Sequence, residues 1–250
     1  MTSRTEALFS TGRWIGTYGV LSLDERVVTR LLDPRLELGS QWLAPAGHHP
    51  VYFMLGRQED VRGTWPVFRS FAVAYDEATI LVPHVRFRNG ERDFLYMPRL
   101  YLDSSWPTFL GRYAFGFDKI RKDIVRRAGH YAVRESSGEN LWRAAIEPIA
   151  GGSTSDTAGA YAKLAGIFAQ PFIGFRSVLG RGAELASWMT FTNHVCTPVK
   201  MELTVDDPHL TGKGIQGAYC FGGLDSAVVG TAVHLESDWT LSFPQPANRG

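Results

Sequence analysis

One lysine stands out in this sequence, because the chain nearly always uses arginine for positive charge. It contains 21 arginines and only five lysines, and two of these, Lys119 and Lys122, follow the aromatic stretch "YAFGF". Arginine stays protonated in proteins, whereas a lysine that loses contact with water can release its proton and become an amine nucleophile. Lys119 is therefore our first candidate for covalent catalysis, although two exposed charges after a helix would give the same pattern.

The second candidate is a carboxylate, Glu77, which stands in "AVAYDEATILVP" at the start of a strongly apolar segment. Acids with a shifted pKa gather in clefts, and such an acid can transfer protons during a reaction. A carboxylate at the end of a strand is more often simply solvated, so the pattern alone leaves both interpretations open.

The other motifs indicate no further chemistry. Gly212, Gly214 and Gly217 have the G-x-G-x-x-G spacing, but "DDPHLT" precedes them instead of a strand, so we predict a plain turn. The seven histidines include no pair at helical metal-ligand spacing, and no serine stands in a G-x-S-x-G motif. We expect neither a metal nor a cofactor.

Composition limits the class of protein and its partners. The 250 residues are 44% hydrophobic and carry a formal net charge of +1, so we predict one domain over residues 1–250 with neither nucleic acid nor a membrane as partner. Two cysteines, Cys196 and Cys220, are too few for a disulfide framework, and the first residues lack an apolar signal segment. These features predict a cytoplasmic protein with reduced thiols.

The elements before the candidate lysine are mostly strands. The segment "SLDERVVTRLLDP" predicts one short amphipathic helix, with Ser22 and Glu25 as a capping box and Pro34 as its stop. Aromatic and branched runs predict strands at 51–57, 66–75 and 78–87. A hairpin tip is predicted at 88–91, before "DFLYMPRLYL".

The candidate lysine itself should follow a short helix. Ser104 and Ser105 can cap this helix, Pro107 suits its first turn, and Gly111 or Gly116 would weaken or end it.

Beyond the lysine the chain is again mostly β. We predict strands at 128–135, 141–147, 172–178, 183–205 with a break at Pro198, 227–235 and 238–243. The stretch "GGSTSDTAGAYAKLAG" is predicted as a loop leading into a short helix that ends near Gln170.

The stretch "YMPRLYLDSSWPTFLGRYAFGFDK" resembles the acetoacetate decarboxylase superfamily. In that family a strand ending in a YLD-type triplet leads through a short helix with Gly-Arg to an aromatic residue and the Schiff-base lysine. The matching residues are Tyr101-Leu102-Asp103, Gly111-Arg112 and Phe117-x-Lys119, in order and spacing. "AYDE" looks like the family's tyrosine-x-glutamate. The resemblance extends over nearly the whole chain, and its specific motifs lie within residues 75–119.

This resemblance implies an α+β, mainly β fold: a cone-shaped, largely antiparallel β-barrel with flanking short helices and a closed apolar cavity. Lys119 would form an imine with a ketone substrate, and Glu77 would be an acid of the same pocket. Arg13 would meet a substrate carboxylate, and the further expected substrate-binding residues are Phe117, Met54 and Tyr101. The resemblance also implies a homo-oligomer.

Three positions depart from the family pattern. The decarboxylases have proline before the lysine and a second lysine after it, where this chain has Asp118 and Ile120, and their second glutamate corresponds to a position near Met54. Lowering a lysine pKa from about 10.4 to about 7 requires roughly 4–5 kcal/mol, and full burial shifts it by about 3–5 units. Burial alone is therefore sufficient for imine chemistry.

We accordingly predict a Schiff-base lyase that acts on a small keto acid, like acetoacetate decarboxylase. One alternative is an aldolase-dehydratase or cyclase that acts on a 2-keto acid in secondary metabolism, as in divergent members of the superfamily. The other is a non-catalytic barrel that binds an apolar ligand, because the seven tryptophans and 15 phenylalanines could line a cavity as well as fill a core.

Overall fold

The computed structural model describes residues 7–149, 164, 166–176, 183–222 and 229–247. Within these ranges 15 strands form one sheet, which is flanked by four short α-helices, one π-helical turn and the helical residues 166–168. The strands are β1 (Leu8–Asp24), β2 (Leu36–Leu38), β3 (His48–Gly63), β4 (Val73–Phe87), β5 (Phe94–Leu102), β6 (Lys119–Arg121), β7 (Asp123–Arg127), β8 (His130–Arg134), β9 (Asn140–Pro148), β10 (Phe172–Arg176), β11 (Ala183–Ser187), β12 (Met189–Val205), β13 (Gly217–Phe221), β14 (Ala232–Ser242) and β15 (Gln245–Pro246).

The helices are α1 (Glu25–Thr29), α2 (Pro66–Arg69), α3 (Ser105–Leu110) and α4 (Pro208–Thr211), and the π-turn covers Gly111–Phe115. The strand order is β15-β11-β10-β5-β4-β3-β1-β14-β12-β9-β8-β7, with β13 beside β12, β2 beside β4 and β6 beside β5. Neighbouring strands are antiparallel except that β5 runs parallel to both β6 and β10. This arrangement confirms the predicted α+β, mainly β class.

The central strands bury both of their faces. Side chains alternate along a strand, so β3 places Val51 and Phe53 on one face and Tyr52 and Met54 on the other. The first face packs into a large hydrophobic cluster with Trp142, which we call the solid core. The opposite face forms a second cluster, which encloses a cavity.

The helix near residue 25 begins later than predicted, because β1 continues through Asp24 and pairs with β3 as far as His48. Asp24 is the N-cap, since its side chain accepts a hydrogen bond from the Arg26 backbone N–H. The proposed capping box was therefore wrong: Ser22 lies within a strand, where its side chain cannot reach the helix start.

The strand predicted at 66–75 was also wrong in its first half, where the structure has α2. Pro66 occupies the first turn of this helix, since its fixed φ and missing N–H suit that position and do not suit the middle of a strand. The strand starts at Val73 and runs without interruption to Phe87. The strands predicted at 66–75 and 78–87 are therefore parts of one strand.

The long β segment after residue 183 is divided at a different place than predicted. The interruption lies at Trp188, between β11 and β12, and β12 continues through Pro198, whose carbonyl accepts a hydrogen bond from Ile149. The irregular register lies at Asn193, which has a positive φ of 52°. The strands predicted at 227–235 and 238–243 are the single strand β14, and residues 227 and 228 lie outside the described ranges.

Several local predictions are confirmed. The hairpin tip at 88–91 joins the antiparallel strands β4 and β5, with Asn89 at a positive φ of 66°. Helix α3 starts after Ser104, and the chain leaves the following π-turn at Gly116, whose φ of 72° favours glycine. The "GKGIQG" segment is a turn after α4, with Gly214 and Gly217 at positive φ.

Residues 166–168 are helical and precede Gln170, in agreement with the predicted helix end, whereas the predicted loop at 151–163 lies outside the described residues. Both cysteines are free thiols. No described helix has the length and apolar character needed to cross a bilayer.

Gly174 on β10 should be essential for packing, because a Cβ atom there would lie 1.9 Å from the Phe115 carbonyl oxygen. The neighbouring Phe175 N–H donates to the Gly116 carbonyl (2.9 Å), so β10 rests directly on the turn that precedes Lys119. We expect Gly174→Ala to cost about 3 kcal/mol of unfolding free energy and to lower the Tm by roughly 6–12 °C. Thermal unfolding measures this loss.

Gly212→Ala is the matched control, since a Cβ atom there would be 3.4 Å from its nearest neighbour and the backbone is helical. A Gly174→Ala protein as stable as this control would contradict the packing described for β10.

Candidate active site

A cavity of about 380 Å³ lies on the β3 face that carries Met54, and its size falls within the range of small-molecule sites. Most of its described lining is aromatic or aliphatic. Strands β3, β4, β5, β6 and β14 each contribute to the walls, together with α3 and the π-turn. Lys119 and Glu77 both line this cavity.

Strand pairing determines which way Lys119 points. Strand β6 runs parallel to β5 and aligns Lys119 with Leu100 and Ile120 with Tyr101. Leu100 lines the cavity, whereas Tyr101 belongs to the solid core on the other face. Lys119 therefore faces the cavity, in line with Phe117 two residues earlier.

The residues before Lys119 place it at the cavity wall. The π-turn ends at Gly116, and the Phe117 N–H then donates to the Gly111 carbonyl (3.1 Å), which folds the chain back toward α3. Gly111 consequently lies against the lysine side chain: a Cβ atom at this position would be 2.2 Å from Lys119 Cδ and Cε. Because glycine has no side chain, position 111 leaves room for the side chain of Lys119.

The surroundings of Lys119 favour its neutral form. The side chain is half-buried by surface area because it faces the cavity, and the protein packed around it removes much of its contact with bulk water. This loss of hydration lowers the pKa of Lys119, and the nearby Glu77 carboxylate opposes the shift. Among the described residues none forms a hydrogen bond or an ion pair with the ammonium group, so Glu77 acts on it only through its charge, and the Phe117 ring centroid lies 6.0 Å from Nζ.

The two departures next to the lysine lie on the opposite side of the strand. The Asp118 carboxylate forms an ion pair with Arg99 (3.1 Å), so it does not face the amine. Ile120 packs against the solid core together with Tyr101. Neither a carboxylate nor a second cation therefore acts on the Lys119 amine from these positions.

Glu77 is the acidic group of the cavity. It is only 4% exposed, and burial raises its pKa, while Lys119 and a hydrogen bond from Gln58 oppose that shift. Strand alternation accounts for its direction, because Glu77 aligns with Leu102 on β5 and with Gly56 on β3. The missing side chain at Gly56 leaves room for Trp14, because a Cβ atom there would lie 2.6 Å from its indole ring.

Gln58 and Trp239 hold the carboxyl group of Glu77. The Trp239 indole N–H donates to Gln58 Oε1 (2.6 Å), and Gln58 Nε2 donates to Glu77 Oε1 (2.8 Å). Because an indole can only donate, the direction of both bonds is fixed, and Oε1 of Glu77 must be an acceptor. Any proton on this carboxyl group consequently resides on Oε2.

Gln58 was not among the residues selected from the sequence. It lies two positions from Gly56 on β3, diagonal to Glu77, and becomes a neighbour only through the β3–β4 register. Alternation along β3 directs Met54, Gly56 and Gln58 to one face. This pattern would have identified Gln58 as a site residue once the pairing of β3 with β4 was known.

The structure places four of the six selected residues at the cavity: Lys119, Glu77, Met54 and Phe117. Tyr101 points to the solid core, where its hydroxyl donates to Asp207. Arg13 points outward and forms an ion pair with Glu236 (2.7 Å). The cavity position next to Arg13 is occupied by Trp14, since a shift of one residue along a strand changes the face.

The described residues contain no group of three or more histidine, cysteine, aspartate or glutamate side chains that could hold a metal ion. The titratable groups of the described cavity lining are the Lys119 amine, the Glu77 carboxyl group and the phenols of Tyr18 and Tyr75.

Comparison with known proteins shows where this fold recurs. No family model and no curated protein sequence matches the chain, but solved structures do. One is the enduracididine biosynthesis enzyme MppR complexed with pyruvate, with a TM-score of 0.63 at 15% identity, over 99% of this chain and 93% of that chain. The chain has the acetoacetate decarboxylase-like fold. This confirms the fold that the resemblance implied.

Two further structures support this assignment. Acetoacetate decarboxylase from Legionella pneumophila matches with a TM-score of 0.58 at 16% identity, covering 96% of this chain and 86% of that chain. An acetoacetate decarboxylase-like enzyme from Sphingomonas wittichii matches with a TM-score of 0.62 at 13% identity, covering 98% and 94%. The low identities are those of a divergent sequence within the acetoacetate decarboxylase-like fold.

We expect Gly111→Ala to displace the Lys119 side chain while leaving the fold intact, because the added methyl group would meet the flexible end of the lysine. A displacement of about 1 Å can reduce the rate of a positioned reaction about 100-fold. Acetylation of Lys119 by 2,4-dinitrophenyl acetate, followed by peptide mapping, measures amine reactivity without a known substrate. Thermal unfolding tests the fold, with Gly212→Ala as the control; wild-type reactivity in Gly111→Ala would contradict this close packing.

Proposed function

We propose that the protein is a Schiff-base lyase in which Lys119 attacks the carbonyl carbon of its substrate. The observation that carries the proposal is the position of this amine: it faces an apolar cavity, its pKa is lowered by loss of hydration, and a buried carboxyl group shares the same space. The resemblance implies a small keto acid as substrate, so pyruvate and acetoacetate are the first compounds to test.

The two groups have complementary tasks in imine formation. The neutral amine adds to the carbonyl carbon and gives a carbinolamine, and loss of its hydroxyl group as water leaves the iminium ion. Glu77 supplies the proton for the departing water through Oε2, since Oε1 accepts from Gln58. Its raised pKa favours a protonated form that can act as this acid.

The iminium ion then accepts electrons from a neighbouring carbon. In decarboxylation it takes up the electron pair of the bond to the departing carbon dioxide. In aldol chemistry the adjacent carbon loses a proton, and the resulting enamine attacks an aldehyde, after which water is eliminated. One structure of the neighbour MppR holds the condensation product of pyruvate and imidazole 4-carboxaldehyde, so aldol-dehydration is the second reaction to test here.

A non-catalytic binding protein is the rival function, and the apolar lining of the cavity favours it. In that case Lys119 would serve as a counter-ion for Glu77. Covalent trapping separates the two functions, because a binding protein forms no bond to its ligand.

We expect sodium borohydride to link a carbonyl substrate irreversibly to Lys119, because reduction converts the imine into a stable secondary amine. The protein is incubated with pyruvate, acetoacetate or neutral ketones, reduced, and mapped by peptide mass spectrometry. Lys122 is the internal control, since its ammonium pairs with Glu135 outside the cavity. Lys119→Arg keeps a cation at this position and should abolish the adduct.

An unmodified Lys119 with every carbonyl compound, acidic and neutral, would exclude the Schiff-base function. Where an adduct forms, release of carbon dioxide from acetoacetate distinguishes decarboxylation from aldol chemistry.

The reactivity of Lys119 should increase with pH and reach half of its maximum below the pH at which an ordinary lysine does. Only the neutral amine reacts, and it predominates above the pKa, which burial lowers here. A lysine with a pKa of about 10.4 is neutral in only about 0.04% of molecules at pH 7. Acetylation by 2,4-dinitrophenyl acetate across pH measures the curve, with exposed Lys200 as reference. A midpoint at or above pH 10.4 would contradict the desolvated amine.

A further inference from the structure

The cavity has an unusual distribution of charge for a protein expected to bind a keto acid. Among its described lining residues there is no arginine, no histidine and no lysine other than Lys119. Arg13, the residue expected to meet a carboxylate, is paired with Glu236 on the outer face of the sheet. Glu77 already places one carboxyl group in this space.

A substrate carboxylate in this cavity would work against the attacking amine. Since a buried carboxylate requires a cationic partner, it would pair with Lys119, the cation available in the described lining. That pairing would raise the pKa of Lys119 and retain it as an ammonium ion, which cannot add to a carbonyl group.

A neutral carbonyl compound meets none of these obstacles, and the shape of the cavity suits an apolar substituent. Phe115, Phe117, Phe168 and Phe172 line it, and a volume of about 380 Å³ exceeds the space that pyruvate or acetoacetate needs. The apolar surface also continues outward. Trp65, Phe71 and Trp106 line the cavity and are nevertheless 59%, 68% and 49% exposed, so they mark its opening.

We propose that the substrate that forms the imine is an apolar ketone or aldehyde, with an aryl or alkyl substituent and without a carboxylate. The carbonyl carbon lies at Lys119, and the substituent extends along the aromatic wall toward the opening. This inference rests on the proposed Schiff-base function and specifies the substrate class of the same site; of the two reactions it retains aldol chemistry, because decarboxylation requires a carboxylate.

A matched pair of ketones tests the inference in the wild-type protein. 4-Phenylbutan-2-one and 2-oxo-4-phenylbutanoate differ only in the group on the carbonyl carbon, which is methyl in the first and carboxylate in the second. We expect borohydride trapping at Lys119 to be at least about tenfold more efficient with the neutral ketone, because the acid must bury an additional charge. Efficiency is the initial rate of adduct formation divided by ketone concentration, corrected for the free ketone's own reduction.

A series of 2-alkanones from butanone to nonanone tests the apolar wall. Each added methylene group should lower the half-saturating concentration about fourfold until the cavity is filled, in keeping with burial of apolar surface. A series without dependence on chain length would overturn the assignment of an apolar substituent.

A cation placed in the cavity should reverse the preference. Leu241 lines the cavity on β14, whereas its neighbour Thr240 is directed to the other face. We expect Leu241→Arg to improve trapping of 2-oxo-4-phenylbutanoate relative to the neutral ketone by at least about tenfold. Thr240→Arg adds the same charge outside the cavity and should leave the ratio unchanged.

The outcomes distinguish this inference from the function on which it rests. Efficient trapping of 2-oxo-4-phenylbutanoate in preference to the neutral ketone in the wild-type protein would overturn the inference and retain the Schiff-base function. Failure of both ketones and of pyruvate and acetoacetate to modify Lys119 would overturn the function itself. Should Leu241→Arg not fold, the wild-type comparison alone decides.

Discussion

Exclusion of water from the Lys119 amine is the condition on which the rest of this site depends. Loss of hydration disfavours the ammonium form, and the nearby Glu77 carboxylate favours it, so the protonation state reflects a competition between these two effects. For Glu77, loss of hydration favours the protonated form, and the nearby Lys119 favours the carboxylate. A neutral amine beside a protonated acid is the combination that apolar surroundings favour, and it is also the combination that forms an imine.

The alternation of side chains along β6 and β5 separates the residues that face the cavity from those that pack elsewhere. Phe117 and Lys119 face the cavity, whereas Asp118 pairs with Arg99 and Ile120 packs on the solid core. This separation explains how the chain tolerates residues beside the lysine that differ from the family pattern. The same alternation along β1 explains why Arg13 is remote from the site. Trp14 faces the cavity, so the preceding residue, Arg13, faces the outer side of the sheet.

The parts of the fold that were predicted correctly are those specified by neighbouring residues. Pro107 near the start of α3 and Gly116 at the exit of the π-turn act through their own backbone preferences, and so does Asn89 in the hairpin. The errors arose where a distant strand decided the outcome. Ser22 had a suitable capping pattern, but pairing of β1 with β3 extended the strand beyond it.

The sequence by itself determined that a lysine follows a short helix, that an acid begins an apolar strand, and that the chain resembles the acetoacetate decarboxylase family; these features involve residues close together in the chain. Only the tertiary structure decided that Lys119 and Glu77 share one cavity, that Gln58 and Trp239 orient the acid, and that Tyr101 and Arg13 face elsewhere. The physical reason is that the direction of a side chain and its loss of hydration depend on strand register and on partners more than 100 residues away, such as Trp239 for Gln58.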